Sequence, residues 1–261
     1  MSPDPSSAAA PHGAGGVLVL LRHGESVHNA AQVFTGLLDV GLTERGREQA
    51  RDAARLLVAH GLRPDVVVTS PMVRTRRTAE LVIDAAGLDG VQVESTWRLA
   101  ERDYGSLTDV PKAVARERYG PDRFITVRRT LDGTPAPASP AQVSAFGPVY
   151  REPGSGLPEP GAGESLRDVV GRVRPCWEDL LARVHAGERV LVVGHGNSLR
   201  ALCTLVDGLA PEEVVDLNLP PAQPLRYDLD GDGGLVPRGG RYLDPATAHA
   251  HATRIAHEGG T

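Results

Sequence analysis

The 261-residue chain has only two cysteines, Cys176 and Cys203, and no Cys-x-x-Cys pair. That argues against a disulfide framework and against a zinc ribbon. Both thiols fall inside apolar helical patterns, where buried, reduced cysteine is expected. Basic charge is not in excess: 28 Lys and Arg face 33 Asp and Glu, a formal charge of -5 at pH 7. No global positive field is available for nucleic acid, so any anionic ligand must be held by local arginines. No apolar run is long enough to span a membrane. Residues 1–16 are rich in Ser, Ala, Pro and Gly but have neither a basic start nor an apolar centre. They read as a disordered leader rather than a signal peptide, with a cytoplasmic location by default. No low-complexity linker divides the middle, and no repeat of fixed period appears. These absences leave one large α/β domain, 17–244, and a C-terminal tail, 245–261, whose His249, His251 and His257 are expected to be solvated.

What is present is a repeated piece of grammar. Val17-Leu18-Val19-Leu20-Leu21 runs into Arg22-His23-Gly24, and far downstream Val190-Leu191-Val192-Val193 runs into Gly194-His195-Gly196. A short, continuous apolar run reads as a strand buried on both faces. Open α/β sheets place ligands outside the carboxyl ends of their strands, so two histidines are expected to face one crevice. Strands alternate with helical patterns between and after these runs. The architecture expected is a three-layer α/β/α fold with a mainly parallel sheet.

The chain in between supplies further candidates. A polar loop carries Ser26, Asn29, Thr35 and Gly36. Thr43 reads as the cap of an amphipathic helix. A second strand, 66–69, leads to a helix beginning with Arg74-Thr75-Arg76-Arg77. Arg74 lies in the first turn beside the same sheet edge, whereas Arg76 and Arg77 point elsewhere and read as solvated. Glu101-Arg102-Asp103-Tyr104-Gly105 gathers acid, base and phenol, though a surface ion-pair cluster has the same composition. From about 110 to 163 the chain becomes rich in Pro and Gly, as an inserted lid does. Lys112, Arg128 and Arg129 would be lowered by it onto an anion. A long helix over about 166–184 precedes the second histidine strand, and 225–229 reads as the final strand.

A neutral imidazole is a competent nucleophile at pH 7. Attack on a phosphoryl group builds charge on its oxygens, which arginines and a second, protonated imidazole stabilise. The leaving oxygen needs a proton, which Glu101 can give. These residues fit phosphoryl transfer through a phosphohistidine, with no metal required.

Leu21-Arg22-His23-Gly24-Glu25 resembles the signature of the histidine phosphatase superfamily. Ser26, Asn29, Phe34-Thr35-Gly36, Glu101 to Gly105, Arg128-Arg129, His195 to Leu202, Leu217-Asn218-Leu219-Pro220 and Pro224-Leu225 extend the resemblance to the cofactor-dependent phosphoglycerate mutases. The resemblance implies that His23 is phosphorylated, that Arg22, Arg74 and His195 hold the phosphoryl group, and that Glu101 moves the proton. It places Ser26, Asn29, Thr35, Gly36, Tyr104, Lys112, Arg128, Arg129, Gly196 and Asn197 at substrate-binding positions, alongside Arg22, Arg74 and Glu101. It implies interconversion of 3-phosphoglycerate and 2-phosphoglycerate primed by 2,3-bisphosphoglycerate, in a homo-oligomer, dimer or tetramer. The chain departs from the family at Asp103, usually His, at Val127, commonly Trp, at Pro221-Ala222, usually Thr-Gly, and in the lid, 131–163.

Two other functions compete. A phosphatase on another small phosphorylated metabolite is favoured by Asp103, a negative charge expected near the anion, and by the altered lid. A non-catalytic phospholigand-binding protein is disfavoured, because binding alone needs neither nucleophile nor acid.

Overall fold

The computed structural model describes residues 15–147 and 160–257. Its centre is Val17–Arg22 (β1), buried along its whole length. Alternate residues of a strand point to opposite faces, and here both faces are covered. Leu18 and Leu20 pack with Leu166–His185 (α7) and Gly196–Asp207 (α8), whereas Val17, Val19 and Leu21 pack with Glu44–Ala59 (α2) and Val73–Ala85 (α3). The strand is therefore apolar at every position before Arg22.

The sheet is mixed and six-stranded, in the order β3-β2-β4-β1-β5-β6. Gln92–Ser95 (β3), Val66–Thr69 (β2), Arg189–Gly194 (β4) and β1 run parallel. Leu225–Leu229 (β5) joins β1 antiparallel, and Leu235–Tyr242 (β6) pairs antiparallel with β5. The last strand expected from sequence was 225–229, so β6 is an addition. Its residues are mostly exposed and include Pro237, Gly239 and Gly240, which removes both alternation and strand propensity from the signal.

The stretch taken for a solvated tail is instead a helix, Pro245–His257 (α10), with Ala248 fully buried. His249 is exposed and His251 is half-buried. The expected lid contains Lys112–Tyr119 (α4), Pro121–Arg129 (α5) and Pro140–Ser144 (α6). Phe124, Val127 and Ala115 there pack on Phe34, Tyr104 and Leu107. Its residues 148–159 lie outside the described residues, as do 1–14 of the expected leader. Cys176 and Cys203 are free and buried, and burial pushes both thiols up to about 12. Among the described residues no helix is long and apolar enough to cross a membrane.

Candidate active site

Sheet register brings the two histidines together. Arg22 of β1 lies opposite Gly194 of β4, so the next residue of each chain segment, His23 and His195, leaves the sheet beside the other. The amide of His23 donates to Gly194 O at 3.0 Å, which holds the two strand ends in step. The imidazole centroids are 5.1 Å apart with an interplanar angle of 66°. Both rings are buried, at 2% and 0% exposure.

Each ring is fixed in one tautomer by its partners. His23 Nδ1 donates to Gly24 O at 2.7 Å, so Nε2 keeps its lone pair. His195 Nδ1 accepts from Arg74 Nε at 3.2 Å, so its proton sits on Nε2, which donates to Ser70 Oγ at 2.7 Å. Burial holds both imidazoles well below their ordinary value, and the charges of Arg74 and Arg22 add to the effect. The second imidazole, expected to be protonated, is neutral here for that reason.

Arg74 is 1% exposed, while Arg76 and Arg77 are exposed, as the helical phase requires. Besides His195, its guanidinium donates to Leu38 O at 2.8 Å and Gly36 O at 3.1 Å. Gly36 has φ +51°, a conformation that glycine adopts without strain and that presents its carbonyl to the arginine. Arg22 is 9% exposed and donates to Leu219 O at 2.8 Å.

Glu101 approaches from the loop after β3. Its Oε1 accepts from Arg102 N (2.7 Å), Asn197 Nδ2 (3.0 Å) and Asn197 N (3.3 Å). Asn197 Nδ2 also donates to Tyr104 Oη at 2.9 Å, and Asn197 Oδ1 accepts from Arg200 at 3.2 Å. Gly196 and Asn197 open α8, whose first turn is buried and whose positive end lies at the crevice.

Three residues outside the expected set hold the site in place, two behind Glu101 and one behind His195. Arg172 pairs with Glu164 at 2.6 Å and donates to the carbonyls of Arg98, Ala100 and Glu101. Arg102 donates to carbonyls of Glu164, Arg128, Val127 and Gly133. Ser70, which takes the proton of His195, closes β2 at the same carboxyl edge. Arg102 stood within the Glu101 to Gly105 motif, and the other two left a fainter signal. Arg172 falls on the apolar stripe of α7, three residues after Val169 and four before Cys176, and Ser70 directly follows a strand run.

Asp103 does not face the anion site. Its Oδ1 accepts from Gly105 N at 2.8 Å, and its Oδ2 from Gly161 N at 2.6 Å and Gly163 N at 3.3 Å. Burial raises its carboxyl above the usual value against these three hydrogen bonds. It fastens the returning end of the lid to the Glu101 loop. Val127, the other departure, packs in the lid cluster and lends its carbonyl to Arg102.

The remaining candidates divide. Arg22, Asn29 and Lys112 share a cavity of about 250 Å³ at the mouth of the crevice. Ser26 is buried and caps Val27–Ala30 (α1) in a reciprocal box with Asn29. Thr35 is buried in the loop leading to Gly36. Arg128 lies 5.5 Å from the rings of Phe34 and Phe124, and Arg129 donates to Val215 and Leu217 carbonyls. Among the described residues, neither lines the mouth cavity.

Two imidazoles facing each other among buried arginines, at the carboxyl ends of parallel strands, define a class of α/β protein suited to carrying phosphoryl groups on histidine. The chain belongs to the histidine phosphatase superfamily (branch 1), whose model matches residues 18–238, and it is an enzyme of that superfamily. It is 43% identical over 248 residues to a 2,3-bisphosphoglycerate-dependent phosphoglycerate mutase of Rhodococcus jostii, covering 94% of this chain and 97% of that protein. It is 44% identical over 248 residues to the protein of the same name from Corynebacterium glutamicum, covering 94% and 98%. A solved mycobacterial glucosyl-3-phosphoglycerate phosphatase shares the fold, with TM-score 0.63, 24% identity, and coverage of 81% of this chain and 92% of that one.

Proposed function

We propose that the protein is a phosphoglycerate mutase. It interconverts 3-phosphoglycerate and 2-phosphoglycerate through a phosphohistidine on His23 and is primed by 2,3-bisphosphoglycerate. The observation that carries the reading is the fixed tautomer of His23, whose Nδ1–H is spent on Gly24 O so that Nε2 is the nucleophile. Nε2 forms a bond to phosphorus as the ester P–O bond breaks, and Glu101 gives the departing oxygen its proton. Arg22 and Arg74 neutralise the oxygens of the transferring group, with the start of α8 as a further donor, while His195, its Nε2–H held by Ser70 Oγ, keeps the Arg74 guanidinium at the phosphoryl group. The second half-reaction reverses these roles: Glu101 takes the proton of a substrate hydroxyl, which attacks the phosphohistidine.

The names of the relatives support the substrate and the primer. The phosphatase alternative loses one of its two grounds, because the charge of Asp103 is bound by backbone amides rather than turned toward the anion. The reading includes a cytoplasmic homo-oligomer, dimer or tetramer, whose mass light scattering would give.

The test is to mix the protein with 3-phosphoglycerate and a trace of 2,3-bisphosphoglycerate and follow 2-phosphoglycerate and free phosphate together. Rapid 2-phosphoglycerate formation that depends on the bisphosphate, with little free phosphate, is expected. Free phosphate alone, or no reaction, would overturn the mutase in favour of a phosphatase on another metabolite.

A further inference from the structure

The mouth cavity extends past the catalytic residues to groups with no role in the chemistry above. Arg45, at the start of α2, lines it together with His251 and Arg254 of α10. Around its wall four permanent cations, Arg22, Arg45, Lys112 and Arg254, face one carboxylate, Glu25. That carboxylate is already engaged. Its Oε1 accepts from Thr43 Oγ1 at 2.8 Å, and its Oε2 lies 3.5 Å from the Arg45 guanidinium. Basic side chains thus outnumber carboxylates along this wall, on a chain whose net charge is negative.

We infer that Arg45, His251 and Arg254 form an outer binding site for a phosphate dianion, next to the phosphoryl-transfer site and coupled to protonation of His251. The inference rests on the proposed phosphoryl chemistry and deepens it, since the same site would hold the second phosphate of a bisphosphorylated ligand. Burial, then Arg254 and Arg45, hold the His251 imidazole below its ordinary value, while Asp244 pulls the other way. Arg45, His251 and Arg254 line one cavity, so an anion held by the two guanidiniums would lie in space that the ring also borders. A dianion entering that space reverses the local field, so the ring takes up a proton as the ligand binds. The imidazolium then adds a third charge-assisted donor.

Calorimetry in a His23→Asn background tests this without phosphoryl transfer, using 2,3-bisphosphoglycerate and inorganic phosphate as probes. Arg254→Glu is expected to weaken bisphosphoglycerate about tenfold, the scale of one charge-assisted contact turned repulsive, and Arg254→Lys to recover most of it. Proton uptake near pH 7, read from buffers of different ionisation heat, is expected to fall in His251→Gln. Unchanged affinity in Arg254→Glu and unchanged uptake in His251→Gln, with melting temperatures as in the parent, would overturn the outer site and leave the mutase reading standing. Inorganic phosphate that responds to Arg254→Glu while bisphosphoglycerate fails to bind would support the outer site and overturn the substrate. Binding of neither probe would overturn both.

Discussion

His23 and His195 are each buried in a positive field, and this has a cost in acid. In the unfolded chain an imidazole titrates near its ordinary value of 6.5, whereas the fold holds both well below it. Above pH 6.5 both are neutral in either state and contribute no pH dependence. Below it the unfolded chain binds protons that the folded one refuses, so stability falls as pH falls. Thermal melts between pH 7 and 5 should drop more steeply for the parent than for His23→Asn. The same shift keeps Nε2 of His23 nucleophilic in mild acid, so the acid limb of phosphoenzyme formation should lie below pH 6.5. Asp103 permits a test of a different kind. Removing its carboxyl strands the amides of Gly105, Gly161 and Gly163, the first two buried, so Asp103→Ala should cost about 2 kcal/mol, read as a shift in the urea midpoint. Were the carboxylate turned toward the anion, its removal would tighten substrate binding; we expect no such gain in KM.

At the scale of elements, the strand-end loop and α2 meet backbone to backbone. A Cβ on Gly24 would overlap the carbonyl of Gly46, and one on Gly46 would overlap the carbonyl of Glu25. Gly46→Ala should therefore force α2 away from the loop that carries His23, costing about 1–3 kcal/mol and lowering kcat. Circular dichroism melts and turnover would show the two losses together; an unaltered melt would contradict the close approach. The sequence offered Gly24 only as the residue that follows His23, and the structure gives it to helix packing. This marks the limit of what was legible. Elements whose burial leaves a period were visible: β1, β4, α2, α7 and the phase of Arg74 on α3. The two histidines followed from strand ends, a local signal. β6 was invisible because its exposed Pro237 and Gly239 and half-buried Gly240 carry no alternation. The target of Asp103 was invisible because a carboxylate accepting backbone amides leaves no mark on the residues that donate them. The place of α10 against the mouth depended on tertiary packing that no window of sequence contains.

The whole molecule has opposed charge distributions. A net charge of -5 surrounds a crevice and mouth lined by arginines and a lysine. Field lines from a recessed cationic wall guide small anions, and salt screens them. Raising ionic strength from about 0.01 M to about 0.15 M shortens the screening length from about 30 Å to about 8 Å. The value of kcat/KM should fall over that range while kcat holds, because the buried groups around His23 are screened far less. A flat profile in stopped-flow assays would mean that the crevice does not steer its ligand.

The central strand is also the first among the described residues, and this bears on synthesis. β1 pairs with β4 and β5, both of which lie in the last third of the sequence. At translation speeds of roughly 5–20 residues per second, its five apolar residues wait on the order of ten seconds for a hydrogen-bonding neighbour. Throughout that interval the nascent chain presents an unpaired, sticky segment to the cytosol or to whatever chaperone meets it at the ribosome. The two histidines of the crevice are born at opposite ends of that wait, so the pair cannot assemble piecemeal as the chain emerges.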